Sequence, residues 1–285
     1  MFENSLSLSF WISTYGGTTS HRGIIVTFWD TTKRKLLERQ KEMFVNTISH
    51  ELRTPLAAIK ASVTMLNDKK INIKSDEKNN IMSIAERNIE RLSKLVKELL
   101  NFQRVDRERF DLTSAYHRFH PILKNCTEEM IPFGKDRNIE IQLVIEEELP
   151  LVYCDPYWIN EVYTNILSNA IKFSNQDSVI TVKCNVAEKH VVVSVRDKGI
   201  GISTSDLEKL FKSFSQGSID YSQRRGGSGL GLAICKRIME AHNGKIWVKS
   251  RINEGSIFYF SLPLYEKQIK KEEDYSSTFS IIEDD

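Results

Sequence analysis

The feature that most constrains the fold of this chain is a stripe of apolar residues between positions 82 and 99. Its members recur at intervals of three and four, the spacing that aligns side chains on one face of a helix; they are Met82, Ala85, Ile89, Leu92, Val96 and Leu99. A second seam precedes it within residues 31–68, at Leu37, Phe44, Ile48, Leu52, Ile59, Val63 and Leu66. Further apolar residues widen the stripe beyond what one partner helix could cover. The pattern therefore predicts a helical hairpin that pairs with a second copy as a dimeric four-helix bundle.

One histidine lies on the opposite side of the first predicted helix. His50 is two residues from both Ile48 and Leu52, about 200° around a helix with 3.6 residues per turn, so its imidazole faces away from the seam. Its own face carries Asn46 and Thr54, whose short side chains would let a large molecule approach. A solvated surface histidine is the simpler interpretation of this position taken alone.

The neighbours of His50 favour chemistry over simple solvation. Glu51 could accept a hydrogen bond from the Nδ1 proton and so leave Nε2 free as a nucleophile. Thr54 is within reach of a group attached to that nitrogen. Pro55 disturbs the helix beside the histidine, and we hypothesise that a bend there controls access to it.

The composition is that of a soluble globular protein with room for two domains. The 285 residues are 40% hydrophobic and 27% charged. Because 40 basic residues are balanced by 38 acidic ones, nothing indicates a nucleic-acid partner. No apolar run approaches the roughly 20 residues that cross a bilayer, so we expect a cytoplasmic chain without membrane contact. The scattered cysteines predict neither disulfides nor a zinc site; they are Cys126, Cys154, Cys184 and Cys235.

The two ends of the chain differ in pattern. Residues 4–30 alternate apolar and polar positions around a Gly-Gly-Thr-Thr turn, which predicts a β-hairpin or two adjacent strands. After an expected linker at 107–116, helical segments alternate with strands such as NIEIQLVI, VITVKCNV and HVVVSVRD, without the strict rhythm of βαβ units. This second part predicts a two-layer α/β sandwich with a mixed sheet and helices on one face, so the overall fold class is α+β.

Three polar residues share one face of the helix predicted around NILSNAIKF. Asn165, Asn169 and Lys172 stand at positions i, i+4 and i+7, although asparagine is a poor helix former. An amide oxygen suits a hard cation and an ammonium suits phosphate; magnesium needs few protein ligands when phosphate oxygens and water complete its shell. An ordinary polar helix face is the alternative.

Two glycine-containing segments follow. In DKGIGI, Gly199 and Gly201 would let the backbone approach a ligand, and Asp197 could accept a hydrogen bond from an exocyclic amine such as that of adenine; a plain turn is the alternative. GGSGLGLAI, residues 226–234, opens a helix predicted to run to about residue 241, and a glycine-rich helix N-terminus favours an anion.

The segment between the glycine-containing stretches carries both aromatic and basic residues. Phe211 and Phe214 of LFKSF are three apart and fit either a core or the anchor of a mobile lid. Arg224 and Arg225 could reach a terminal phosphate.

These segments, in this order, resemble a known family. FVNTISHELRTPL, NILSNAIKF, DKGIGI, LFKSF and GGSGLGL closely resemble the H, N, G1, F and G2 boxes of sensor histidine kinases, over about residues 31–264. The resemblance implies a Bergerat-type ATP-binding domain, the fold shared with gyrase and the Hsp90 chaperones, after the helical hairpin. It implies that His50 is the phosphoacceptor and Glu51 its acid–base partner, and that Thr54 orients water in the reverse, phosphatase reaction.

The resemblance also implies ATP and Mg²⁺ as ligands, with Asn169 on the metal ion. The residues that it assigns to ATP binding are Asn165, Asn169, Lys172, Phe173, Asp197, Gly199, Gly201, Phe211, Phe214, Arg224, Arg225, Gly227, Ser228, Gly229, Leu230, Gly231 and Leu232. Ser228 stands where threonine is common in the family, a change that keeps the hydroxyl.

Four segments are expected from this resemblance. Residues 1–30 look like the C-terminal end of a PAS sensor domain, 31–110 like the dimerisation and phosphotransfer domain and 117–265 like the catalytic ATP-binding domain; 266–285 would be a disordered tail. Because a whole PAS domain is longer, a full-length parent could carry an upstream sensor or membrane region.

The expected function is a homodimeric kinase that phosphorylates His50 from Mg-ATP. The phosphoryl group would then pass to an aspartate in the receiver domain of a separate response regulator. The alternatives are a phosphatase-dominant member of the same family, a non-kinase Bergerat ATPase and a pseudokinase scaffold.

Overall fold

The computed structural model describes residues 6–16, 22–68, 74–105, 110–145, 149–212 and 229–264. The chain divides into two compact units, Met1–Leu92 and Ser93–Asp285. Within the described residues, no helix combines the length and the apolar character that crossing a membrane requires.

The first unit begins with the predicted β-hairpin. Strands β1 (Leu8–Gly16) and β2 (Arg22–Asp30) pair antiparallel over their whole length. The backbone N–H of Thr31 donates to the Ser7 carbonyl oxygen at 2.8 Å, which joins the end of β2 to the start of β1. Large apolar side chains remain exposed along the hairpin, among them Phe10, Trp11, Ile24 and Phe28. The hairpin is confirmed, and its origin in a PAS domain stays a prediction.

Two long helices follow the hairpin, as the apolar spacing predicts. Helix α1 spans Thr32–Asn67 and continues through Pro55, whose side chain is buried; helix α2 spans Ser75–Val105. An ion pair joins Glu51 of α1 to Arg91 of α2. Glu51 stands sixteen residues before the end of α1 and Arg91 sixteen residues after the start of α2, so the helices run antiparallel.

Part of the apolar surface of the helical hairpin formed by α1 and α2 remains exposed in the single chain. Several large apolar side chains of α1 and α2, in the seams and beside them, are between a third and two thirds exposed: Val45, Leu56, Val63, Met82, Ile84 and Ile89. An exposed apolar face of this extent on two adjacent helices fits the predicted pairing with a second copy.

The second unit is built on a five-stranded sheet. Its strands are β4 (Glu140–Ile145), β6 (Val179–Ala187), β7 (His190–Arg196), β8 (Lys245–Arg251) and β9 (Gly255–Pro263), in the order β4-β6-β7-β9-β8. The β4–β6 pair is parallel and the other pairs are antiparallel, so the predicted mixed sheet is confirmed. A short antiparallel pair, β3 (Ala115–Arg118) and β5 (Leu151–Cys154), lies outside this sheet.

The helices of the second unit form the other layer of the sandwich. They are α3 (Phe119–Lys135), α4 (Pro156–Phe173), the short α5 (Thr204–Leu207) and α6 (Gly231–Ala241). Alternate residues of the strands pack against α3, α4 and α6 in one apolar core, which includes Ile166, Leu167, Val193 and Phe260. The Tyr163 hydroxyl lies within this core and shares a hydrogen bond of 2.7 Å with Thr127.

The last turns of α2 belong to the second unit. Val105 joins the core, and Phe102 packs against it. The Lys97 ammonium and the Asn101 amide both donate to the Glu161 carboxylate on α4, and Asn101 is only 5% exposed. The second unit therefore starts before the linker expected at 107–116, of which residues 107–109 lie outside the described part.

Candidate functional site

His50 is exposed on α1, as its position opposite the apolar seam predicts. The Thr54 hydroxyl donates to the backbone carbonyl oxygen of His50 at 3.3 Å, so this hydroxyl lies one turn along the same face. Both side chains are solvent-accessible. A nucleophilic imidazole and a hydroxyl that could hold a water molecule are thus side by side.

The Glu51 carboxylate makes a different contact from the one expected. Its Oε2 accepts a hydrogen bond from Arg91 Nη2 at 3.0 Å, and no hydrogen bond joins Glu51 to His50 in the part of the chain that the structure describes. Forty residues separate Glu51 from Arg91, which is why local sequence could not indicate the pair.

Helix α4 positions the two asparagines. Asp155 caps its N-terminus by accepting from the Tyr157 N–H, and Pro156 occupies the first turn, where the missing N–H costs nothing. One side of the helix is buried in the core, so Asn165 and Asn169 fall on the half-buried side one turn apart. The Asn169 Nδ2 donates to Asn165 Oδ1 at 3.1 Å.

The N-terminus of α6 lies against this asparagine pair. A Cβ atom built on Gly231 would stand 2.4 Å from Asn165 Nδ2, so only glycine fits while the amide keeps its position. Leu230 before it is fully buried, and Gly229 has a left-handed φ of 69°. The first N–H groups of a helix have no partner within the helix itself, so this helix start, beside two amides, is suited to an anion such as phosphate.

Asp197 is a buried carboxylate of this unit, at 4% exposure. Its Oδ1 accepts hydrogen bonds from the backbone N–H groups of Gly199 at 2.9 Å and Ser256 at 3.1 Å. Burial raises the pKa of this carboxyl to about 6, and the two backbone hydrogen bonds oppose the shift. Within the described residues Oδ2 accepts no hydrogen bond, so one oxygen is fixed and the other can receive a ligand donor.

The two glycines after Asp197 make close backbone contacts. A Cβ on Gly199 would lie 2.4 Å from the Phe173 carbonyl oxygen at the end of α4, and Gly199 also forms a β-bridge with Ser174. Gly201 has a left-handed φ of 70°, and a Cβ there would lie 1.9 Å from the Arg251 carbonyl oxygen. The turn therefore joins Asp197 to the end of the asparagine helix. Among the fully buried side-chain nitrogen and oxygen atoms of the described residues, Ser174 Oγ alone lacks a hydrogen-bond partner.

The remaining predicted site residues are half-buried or lie outside the described part of the chain. The Lys172 ammonium lies 4.9 Å from the centroid of the Phe173 ring. Both side chains are half-buried, as are Phe211 and Leu232. Five of the predicted residues lie outside the described residues: Phe214, Arg224, Arg225, Gly227 and Ser228.

The donor set around α4 fits magnesium better than a metal with an all-protein coordination shell. Among the described residues, no group of three histidine, cysteine or acidic side chains could hold a metal ion. The four thiols are free and buried, and burial raises the pKa of Cys126 to about 11 and of Cys154 and Cys184 to about 12. A single amide oxygen from Asn169, with substrate phosphates and water, is a set that magnesium accepts.

Several positioning residues were missed by the sequence analysis. Arg137 binds the backbone carbonyl oxygens of Ile171, Lys172 (2.9 Å) and Ser174 (2.9 Å) at the C-terminus of α4. Ser256 helps to hold Asp197. Arg137 follows α3 in sequence but binds the end of α4, 34 residues or more away, so local sequence carried no signal for this contact.

Fold and site together define a class of two-part proteins, in which an antiparallel helical pair bearing an exposed histidine precedes an α/β sandwich with an anion-type site. Residues 40–108 match the model of the His Kinase A (phospho-acceptor) domain, and residues 154–266 match that of the histidine kinase-, DNA gyrase B- and HSP90-like ATPases. The chain therefore belongs to the sensor histidine kinases.

Relatives and solved structures agree with this assignment. The alginate biosynthesis sensor protein KinB of Pseudomonas aeruginosa is 30% identical over 242 residues, which are 85% of this chain and 40% of KinB. The crystal structure of full-length ShkA in complex with AMPPNP has a TM-score of 0.58 and 26% identity, over 78% of this chain and 45% of ShkA. The crystal structure of histidine kinase ThkA in complex with response regulator TrrA has a TM-score of 0.64 and 24% identity, over 94% of this chain and 78% of ThkA, a likeness of fold. This chain spans about two fifths of the length of the curated relatives it matches.

Proposed function

We propose that this chain is an ATP-dependent protein-histidine kinase that phosphorylates its own His50. The observation that carries the proposal is that His50 is the one histidine in residues 40–108, the segment that matches a phospho-acceptor domain, and that its side chain is exposed. A phospho-acceptor domain needs an accessible nucleophile, and His50 alone supplies it.

The second unit supplies the matching nucleotide site. The free oxygen of Asp197 would accept a hydrogen bond from the adenine amine. The N-terminus of α6 at Gly231, with Asn165, would bind phosphate oxygens. Support comes from the likeness to ShkA, whose structure contains the ATP analogue AMPPNP. Lys172, Phe173, Gly199, Gly201 and Leu232 would complete the site.

Magnesium fits the same site. Asn169 would hold it through its amide oxygen, which accepts no hydrogen bond among the described residues. When bound, the ion would neutralise the charge of the triphosphate. Asn165 orients the Asn169 amide by accepting a hydrogen bond from its Nδ2, which leaves the Asn169 amide oxygen turned away from this contact.

In the proposed reaction the His50 Nε2 lone pair forms a bond to the γ-phosphorus as the bond to the ADP oxygen breaks. The Nδ1 proton passes to the Glu51 carboxylate and from there to water. The product is an acid-labile phosphohistidine, and its phosphoryl group would pass to a receiver aspartate. ThkA was crystallised with a response regulator, which supports a partner of that class.

Two further parts of the proposal concern assembly and the reverse reaction. The exposed apolar seam of α1 and α2 supports a homodimer with a four-helix bundle. Thr54, which is bonded to the backbone of His50, would orient water when the phosphorylated regulator is hydrolysed. We further propose that residues 31–110 form the phosphotransfer domain and 117–265 the ATP-binding domain, and that the kinase works in the cytoplasm.

The test is incubation of the purified chain with γ-labelled ATP and magnesium. We expect label that is lost in acid and stable in base, absent from His50→Gln and retained in His120→Gln, a matched change of another exposed histidine. Label that persists in His50→Gln would contradict the assignment of the acceptor. Steady ATP hydrolysis without labelled protein would indicate a non-kinase ATPase, and absence of ATP binding would indicate a scaffold.

A phosphatase-dominant chain would give a separate result. It would bind ATP, remain weakly labelled and remove phosphate from a phosphorylated receiver domain. Thr54→Ala should abolish that removal and leave labelling of His50 within about twofold, because the hydroxyl serves only the reverse direction.

A further inference from the structure

The Glu51 carboxylate is bound by the neighbouring helix instead of by the histidine beside it. Arg91 Nη2 on α2 donates to Glu51 Oε2 at 3.0 Å. The Glu51 side chain is 19% exposed and that of Arg91 is 44% exposed, so the pair is partly shielded from water. Among the described residues, no second cation pairs with Glu51.

Helix geometry makes this ion pair an alternative to contact with the imidazole. Successive side chains on a helix diverge by about 100°. His50 points to solvent, while Glu51 points to α2 and is mostly buried there. For Glu51 to accept the Nδ1 proton of His50, its carboxylate must turn away from Arg91 and the ion pair must break.

The contact is specific to one position of α2. Arg87 lies one turn before Arg91 and is exposed, and it forms neither an ion pair nor a hydrogen bond with any described residue. A non-specific attraction between cations of α2 and the Glu51 carboxylate would not distinguish these two arginines. The difference instead follows from the antiparallel register, which sets Arg91 opposite Glu51.

We propose that Arg91 is a positioning residue that restrains phosphorylation of His50 by holding Glu51 away from it. The inference rests on the proposed function, since it requires Glu51 to accept the Nδ1 proton when Nε2 is phosphorylated. The ion pair between Arg91 and Glu51 then slows the phosphorylation of His50. A movement of α2 relative to α1 that separates Arg91 from Glu51 would remove this restraint.

The first test is the kinetics of autophosphorylation in Arg91→Gln, which keeps the length of the side chain and removes its charge. The rate constant at saturating ATP should rise about two- to fivefold, the range that the loss of a partly exposed ion pair allows. The KM for ATP should stay unchanged, because the residues proposed to bind nucleotide all lie in the second unit. A merely structural role of Arg91 would not accelerate the reaction.

Matched variants define the origin of the change. Arg91→Lys retains a cation and should react at close to the rate of the unmodified chain. Arg87→Gln removes the same charge one turn away and should have no effect. Autophosphorylation of Glu51→Gln should be slow. The double variant Glu51→Gln/Arg91→Gln should be equally slow, because Arg91 affects the rate only through Glu51.

The contrary outcomes are distinct. An Arg91→Gln chain that reacts more slowly, or at the unmodified rate, would overturn the inference while the labelled His50 of the unmodified chain upholds the proposed function. Acceleration that persists when Glu51 is also replaced would overturn it as well. Absence of acid-labile label in the unmodified chain would overturn the proposed function and this inference with it. Circular dichroism of each variant checks that the helical content is retained.

Discussion

At the scale of single residues, Asp197 shows how the fold orients a buried carboxylate. Its Oδ1 is fixed by the backbone N–H groups of Gly199 and Ser256, so the remaining oxygen has a defined direction. The sequence indicated Asp197 through the glycines that follow it. It could not indicate Ser256, because that residue is 59 positions away and meets Asp197 only through sheet pairing.

We predict that Asp197→Asn lowers the affinity for ATP about ten- to a hundredfold, the range expected for loss of a hydrogen bond to a charged group. The amide oxygen can still accept from Gly199 and Ser256, so the fold should survive. The amide nitrogen would then face the adenine amine, donor against donor. Titration with a fluorescent ATP analogue measures the change.

The matched control for this variant is Asp177→Asn. Asp177 is exposed and has a left-handed φ of 57°, a conformation that asparagine tolerates. Its replacement should leave nucleotide affinity unchanged. Equal affinities of the Asp197→Asn and unmodified chains would contradict the assignment of Asp197 to adenine.

At the scale of elements, the apolar spacing in the sequence predicted the helices well. The seams of α1 and α2 and the alternation in β6 and β7 come from burial on one face, a local signal that the sequence carries directly. Strand β3 was missed because its four residues, AYHR, are too few to show a period. The α2 contacts with Glu51 and Glu161 were missed because each joins residues far apart in sequence.

The approach of α6 to α4 at Gly231 gives a prediction about two elements together. Gly231→Ala would place a Cβ 2.4 Å from Asn165 Nδ2. That amide is the tip of a side chain and can move, so stability should change by less than about 1 kcal/mol, helped by the better helix propensity of alanine. The displaced amide can no longer orient Asn169, so affinity for Mg-ATP should fall at least about tenfold, the loss of roughly one charge-assisted hydrogen bond.

Thermal unfolding and nucleotide titration of the same Gly231→Ala preparation separate the two effects. Unchanged affinity for Mg-ATP would show that the position of the Asn165 amide does not matter for binding. A loss of affinity that tracks a large loss of stability would instead indicate that the helix start itself is disrupted.

At the scale of the whole molecule, the two units differ in how their apolar residues are covered. The second unit buries its apolar residues in one continuous core, whereas the helical pair and the N-terminal hairpin of the first unit leave many of theirs exposed. Composition and periodicity predicted the second unit as a self-sufficient sandwich. For the first unit they predicted a second copy of the chain as the partner that covers the exposed seam, and this pairing stays a proposal.

Two buried titratable groups give the second unit opposing responses to acid. The His242 Nδ1 donates to the Ile238 carbonyl oxygen at 2.8 Å and Nε2 accepts from the Asp155 N–H at 3.1 Å, so the ring is neutral, and burial lowers its pKa. Below pH 6.5, the ordinary pKa of histidine, His242 is protonated in the unfolded chain and stays neutral in the folded state. Acid therefore destabilises the fold through His242. Asp197 acts oppositely, because the folded state takes up its proton near pH 6 and the unfolded chain only near 3.8.

We therefore predict that Asp197→Asn makes the second unit lose stability more steeply as the pH falls from about 6.5 to about 4. The variant removes the group whose protonation favours the folded state and leaves His242 in place. Urea unfolding at a series of pH values measures the slope, with Asp177→Asn as the control that should parallel the unmodified chain. Parallel curves for all three proteins would contradict the buried, proton-accepting state of Asp197.

The four buried thiols allow opening of the second unit to be followed by cysteine modification. Cys126, Cys154, Cys184 and Cys235 are all at most 1% exposed, and all belong to this unit. Since an exposed thiolate attacks an electrophilic thiol reagent, the rate of modification would measure how often the sandwich opens. Ligands that bind the closed form suppress such openings by mass action. A slower rate of cysteine modification would therefore report that nucleotide is bound, with no probe attached to the protein.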